Sequence, residues 1–170
     1  MTKNKQLDEL CYRFIHEQGY LCDFEVITDE LCTQVGMCLT LLGDSHPDLV
    51  ADLERLQPLC WHVNGSIRGR LAIVEDDMTW LHDRYDHYRE EIDGMRQGFV
   101  LPRGSVLAMQ FQLARSSTKK PVAHWFGWKN KASTRPQFSV DFVICCAMCF
   151  LFWPVLLTGE TASSSRHLSV

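Results

Sequence analysis

The first 35 residues of this chain hold a single glycine, Gly19. A loop that cradles phosphate with its backbone amides needs glycine for close approach, so no such loop is read there. Positive charge is also short: 17 Lys and Arg stand against 21 Asp and Glu, a net charge of −4. That argues against nucleic acid as the main partner, because binding a phosphate backbone needs a basic surface. The start carries no basic-then-apolar leader. No Cys-x-x-Cys pair recurs, so the 8 cysteines form no zinc framework, and no metal site is expected. They are scattered, mostly at apolar positions, in a chain too large to need disulfide staples. Buried thiols in a reducing compartment, cytoplasm or mitochondrial matrix, are the expectation.

Long uncharged runs are absent with one exception, the 16 residues from Phe142 to Leu157. As a helix this run spans roughly 24 Å, short of the ~30 Å hydrocarbon layer. Extension back to Phe138 brings in Asp141, at a cost. A tail helix is expected ahead of a membrane span, with Cys145, Cys146 and Cys149 as small apolar side chains.

What is present is ordinary for a globular protein: 170 residues, 46% hydrophobic and 22% charged, enough for one domain with a real core. Periodicity reads as all-α, a bundle of about five helices over residues 1–128. A linker over 129–137, an apolar helix over 138–157 and a disordered tail over 158–170 follow. Leu7, Leu10, Cys11, Phe14 and Ile15 predict a helix over 4–18 that Gly19 stops. A second helix is predicted from Asp29 to Leu42, with Asp29 and Glu30 in its first turn, where the helix dipole favours carboxylates. Pro47 suits the first position of a third, whose core face is Leu49, Leu53, Leu56, Cys60 and Val63. Pro58 should kink it, and Gly65 and Gly69 loosen the chain beyond. A fourth, over about 71–93, shows steps of four and three through Val74, Met78, Leu81, Tyr85, Tyr88 and Ile92, a bundle seam. His82 and Asp86 lie one turn apart on its acidic face, which reads as solvated.

The richest stretch is Phe99-Val100-Leu101-Pro102-Arg103-Gly104-Ser105 and the helix after it. Pro102 fixes its own φ and pushes Leu101 toward an extended conformation, and Ser105 is a fair N-cap. Leu107, Phe111 and Ala114 then share one stripe, and Gln112, Arg115 and Lys119 another. Pro121 should stop the helix near Lys119.

Phe-x-Leu-Pro-x-Gly, followed by a helix with Gln112, Ala114-Arg115 and the pair Lys119-Lys120, resembles the PduO-type ATP:corrinoid adenosyltransferases. Thr28-Asp29-Glu30-Leu31 with Gly36 resembles that family's Thr-x-Asp-Glu-Leu-Asn helix start. Leu53 to Gln57 resembles its Leu-x-x-Ile-Gln helix, and Leu81 through Asp86 to Tyr88 its Leu-Glu-x-x-Ile-Asp-x-Tyr. The likeness covers about residues 24–120. It implies a trimeric helical bundle that transfers the 5′-deoxyadenosyl group of ATP to the cobalt(I) of a corrinoid such as cobalamin, releasing triphosphate. ATP, Mg²⁺ and cobalamin are the implied ligands. The same resemblance implies that Phe99 walls off the cobalt and that Arg115 pairs with Asp29 across a subunit boundary. It places Lys119 and Lys120, with Gln112 beside them, toward the nucleotide. Lysine stands at two positions where the family carries arginine, which keeps the charge but loses the bidentate fork. The family's phosphate loop and its last helix, with an Asn-Arg-Leu-Ser-Asp string, have no counterpart in the sequence. A silent relative binding a corrinoid or a protein partner, or a small membrane-attached helical protein, are the alternative readings.

Overall fold

The computed structural model describes residues 14–17, 19–70, 72–93 and 102–123. Four α-helices run through them: α1 (Tyr20–Leu42), α2 (Pro47–Ser66), α3 (Glu75–Glu91) and α4 (Val106–Ser117). Cross-helix bonds pair Cys32 with Gln57, Asp52 with Tyr88, and Glu30 with Lys120. Consecutive helices therefore run antiparallel, and α4 lies antiparallel along α1.

The core is what the stripes predict. Leu31, Val35, Cys38 and Leu42 of α1 meet Leu49, Leu53, Leu56, Cys60 and Val63 of α2. Met78, Leu81 and Tyr88 of α3 and Phe111 and Ala114 of α4 join the same cluster. Burying each large apolar side chain contributes about 1.5–3 kcal/mol, so these stripes decide which helix faces turn inward. Pro47 sits at the first position of α2 as expected, and Pro58 lies inside that helix. Between α1 and α2 the chain reverses at Gly43, with φ of +55°, and at His46, with φ of +56°. Left-handed φ favours glycine. At His46 it costs stability, which the anchored helices on both sides offset.

At several points the structure departs from the sequence expectation. Residues 14–16 form a turn, not the end of a helix, and Glu17 N–H donates to the Phe14 carbonyl. The earlier part of that expected helix, with Leu7, Leu10 and Cys11, lies outside the described residues. Gly19 starts a helix instead of stopping one: it is the N-cap of α1, which begins nine residues before Asp29. Asp29 and Glu30 are thus mid-helix, away from the dipole's positive end. Gly65 falls inside α2; Gly69, at φ of +89°, makes the turn after it. Val74 leaves the seam and is exposed, because it is the N-cap of α3, its N–H donating to the Asp77 carboxylate at 3.1 Å. The helix after Ser105 breaks at Thr118, and a further helical turn covers 119–123. Pro121 fits there because the first turn of a helix needs no N–H from it.

The linker, the apolar stretch 138–157 and the tail beyond it lie outside the described residues. Among those that are described, no helix is long and apolar enough to cross a membrane.

Candidate active site

Ser105 fixes the start of α4. Its Oγ accepts a hydrogen bond from Ala108 N–H at 3.2 Å, the N-cap interaction read from the sequence. Phe111 and Ala114, fully buried, then set the rotation of α4 against α1. With that face fixed, Gln112 and Arg115 lie together on its flank, both half-buried. Arg115 Nε donates to Gln112 Oε1 at 2.7 Å, so the guanidinium is held in one orientation. Arg115 makes no ion pair among the described residues.

One turn on, α4 meets α1 through polar groups. Glu30 Oε1 accepts from Gln34 Nε2 at 2.9 Å, from Ser117 Oγ at 3.2 Å and from Lys120 Nζ at 3.1 Å. Its Oε2 accepts from the same Nζ at 3.1 Å. Gln34 Nε2 also donates to Ser117 Oγ at 2.8 Å, and Gln110 Nε2 reaches the Gln34 carbonyl at 3.5 Å. Gln34 and Ser117 are buried, while Lys120 stands at the rim. Gln34 Oε1 is a buried acceptor without a donor among the described residues.

Of the six expected site residues five are described, and among them Lys120 is the one bonded across to α1. Arg115 and Gln112 are joined directly. Lys119 is exposed at the same end of α4, without an ion pair among the described residues. Lys120 is bound to Glu30. Asp29 precedes Glu30 on α1 and is exposed. Phe99 lies outside the described residues. Three cations against Glu30 and Asp29 leave a positive excess, which suits an anionic ligand. The sequence reading missed Gln34 and Ser117 and took Glu30 for a helix-dipole carboxylate. Their only local signals are the i, i+4 spacing of Glu30 and Gln34 and the i, i+3 spacing of Ser117 and Lys120.

A second polar cluster lies where α1 begins and α2 ends. Arg68 donates through Nε and an Nη to the carboxylate of Glu25, the latter at 2.7 Å, and to Glu17 at 2.9 and 3.3 Å. Its guanidinium lies 3.8 Å from the centre of the Phe14 ring, a cation–π contact. Hydrogen bonds to Glu25, then Glu17, raise its pKa further above the ordinary arginine range. Trp61, Asn64 and Arg70 join these residues around an open cleft of about 510 Å³. None of the expected site residues lines it. Arg68 is saturated by carboxylates, so its evident work is fastening residues 14–17 to the α1–α2 pair.

No cluster of three metal-ligating side chains occurs among the described residues. Thiol chemistry is also muted. Burial, with Cys60 and Asp29 adding to it, pushes the Cys32 thiol up to about 11, and burial pushes Cys38 up to about 12. Thiols so raised stay protonated and unreactive at neutral pH.

The same fold occurs in solved structures. Two are variants of the PduO-type ATP:corrinoid adenosyltransferase from Lactobacillus reuteri complexed with cobalamin and ATP. They match with TM-scores of 0.74 and 0.72, each at 20% identity, over 91% of this chain and 91% and 89% of theirs. Another variant of that enzyme, complexed with ATP, matches with a TM-score of 0.75 at 20% identity, over 92% of this chain and 93% of its own. Among curated proteins no match is found. At this identity the structural likeness speaks for the fold. The family follows from the sequence itself: residues 25–120 match the model of the cobalamin adenosyltransferases. That span is more than half the chain and runs from within α1 to the cationic turn after α4, so the chain belongs to the cobalamin adenosyltransferase family.

Proposed function

We propose that this protein transfers the 5′-deoxyadenosyl group of ATP to the cobalt(I) of a corrinoid, at a site built on the α1–α4 junction. The observation that carries this reading is the family match over residues 25–120, which ends on the cations the junction gathers. In the reaction the cobalt–carbon bond forms as the C5′–oxygen bond breaks, and triphosphate leaves with the electron pair. Cobalt is the nucleophile, so the protein's part is positioning, charge stabilisation and exclusion of water.

Arg115 and Lys119 face the growing charge of the triphosphate, with Gln112 holding the guanidinium. Lysine meets that charge as a point charge, without arginine's fork. Mg²⁺ enters with the nucleotide, since this ion is usually held by one or two carboxylates plus substrate phosphates. Phe99, by resemblance, walls the corrin side. Asp29 is exposed and Arg115 lacks an acidic partner among the described residues, which supports their pairing between two copies of the chain in a trimer. Val106, Met109 and Leu113 on α4, with Met37 and Leu41 on α1, are exposed apolar residues of the kind a subunit contact covers. The four described cysteines are free thiols, which supports a reducing compartment, cytoplasm or mitochondrial matrix.

The test is conversion of cob(I)alamin and MgATP to adenosylcobalamin, followed by absorbance. Formation of product at a rate that Arg115→Ala lowers supports the reading. If millimolar MgATP neither binds nor raises the melting temperature, the reading fails.

A further inference from the structure

The two neighbouring lysines at the end of α4 differ in what they touch. Lys120 Nζ lies 3.1 Å from both oxygens of Glu30, and Glu30 is fixed in turn by Gln34 and Ser117. Lys119 carries no such partner among the described residues. The hydrogen-bond ladder between α4 and the turn that holds them has a gap. Thr118 keeps a helical backbone, its N–H bonded back to the Ala114 carbonyl, but Pro121 has no N–H with which to continue the ladder. The helical turn 119–123 is therefore not oriented by the hydrogen-bond ladder of α4 alone. The side chains that tie it to the bundle are Lys120, through Glu30, the buried Pro121, and Val122, which packs against the core.

We infer that Lys120 is a positioning residue. Its charge is answered by Glu30 of the same chain, and the resulting clamp holds the 119–123 turn against α1 so that Lys119 alone of the pair meets the triphosphate. This inference rests on the proposed function for its ligand, but the clamp itself is a property of the free protein. Two details favour a clamp over a phosphate ligand. Both Glu30 oxygens engage one ammonium, which leaves one of its three N–H donors for a phosphate and sets most of its charge against the carboxylate. The carboxylate is also backed by Gln34 and Ser117, which are buried and so keep Glu30 pointed at the end of α4. An ion pair held by buried partners loses less to solvent and to side-chain entropy than a free surface pair.

The test compares Lys119→Ala, Lys120→Ala and Glu30→Lys with the exchanged double variant Glu30→Lys/Lys120→Glu. Two readouts are used: MgATP affinity by calorimetry across salt concentrations, and hydrogen exchange of the amides of 118–123 without ligand. Lys119→Ala is expected to weaken MgATP about tenfold or more and flatten the salt dependence, as loss of a charged phosphate contact does, while leaving amide protection unchanged. Lys120→Ala and Glu30→Lys are expected to lose protection at 118–123, and the exchanged pair to regain both protection and most of the affinity. The exchange keeps the net charge of the pair, so an exchanged pair that regains protection but binds MgATP no better than Lys120→Ala makes Lys120 a phosphate ligand and overturns the inference. Unchanged protection in Lys120→Ala overturns it as well. If the unaltered protein binds no MgATP, the proposed function falls. The amide protection of the variants then decides the clamp alone.

Discussion

Helix α1 has two working faces, and they are built differently. Toward α2 it presents Leu31, Val35, Cys38 and Leu42, and the seam is apolar apart from two sets of bonds. Near the start of α1, Asn64 Nδ2 donates to the Glu25 carbonyl and to Thr28 Oγ1. The others cross near its middle. There Gln57 Nε2 donates to the Cys32 carbonyl at 3.3 Å, and Cys32 Sγ donates to the Gln57 carbonyl at 3.6 Å. Toward α4 it presents Glu30 and Gln34, and the seam is a hydrogen-bonded network around one carboxylate, anchored by Phe111. The first face supplies stability through burial, which is undirected. The second supplies geometry, because every partner of Glu30 has a fixed direction. Lys120, read as ligand-binding, belongs to the second face, and Gln112, Arg115 and Lys119 stand on the same part of the chain.

The sharpest way to break this contrast is to remove the one large apolar anchor on the polar side. Phe111→Ala should destabilise the fold by about 3–5 kcal/mol in denaturant melts. A loss under about 1 kcal/mol would mean that the network holds α4 without it. The next largest effect is expected at the Arg68 cluster. Arg68→Ala leaves Glu25, only 4% exposed, without its cation, and should cost about 2 kcal/mol. Limited proteolysis should then cut faster around residues 14–17; unchanged cleavage would separate Arg68 from that segment.

A smaller effect is expected from alkaline pH, and it sharpens the picture of the α1–α2 face. Cys32 and Cys38 hold their protons more tightly folded than unfolded, moving from 9.0 to about 11 and about 12. The unfolded chain therefore loses protons first, and stability falls as pH rises above about 9. Replacing both by alanine should flatten that slope in melts between about pH 8 and 10; an unchanged slope would place its origin elsewhere. The smallest effect is expected at Gly36. An added methyl would come within 2.7 Å of Gln57 Nε2, yet alanine favours helix by about 1 kcal/mol. A flexible amide can shift, so Gly36→Ala should change stability by less than about 1 kcal/mol. A larger loss would show that the Gln57–Cys32 crossing is rigid.

Much of the fold is legible in the sequence because burial follows helical periodicity. The stripes of α2 and α4 and most of the α3 seam stand where their spacing puts them. Glycine misled the reading of α1, since the freedom that lets Gly19 end a helix also lets it begin one. Within the site, the spacing of Gln112 and Arg115 was enough to join them. The pairing of Glu30 with Lys120 was not legible, nor that of Glu25 and Glu17 with Arg68. These groups lie dozens of residues apart, and only tertiary packing brings them together. Identical charges at neighbouring positions, Lys119 and Lys120, look equivalent until the opposite helix answers one of them.

The tight reversal at Gly43 to His46 has a consequence for how the molecule comes into being. It closes α1 and α2 into a helical hairpin with a short connection, a unit of low contact order of the kind that forms fast. That hairpin is complete in sequence some forty residues before α4 begins. During synthesis the scaffold can assemble while the cationic end is still to be translated, and α4 then docks onto a surface already in place.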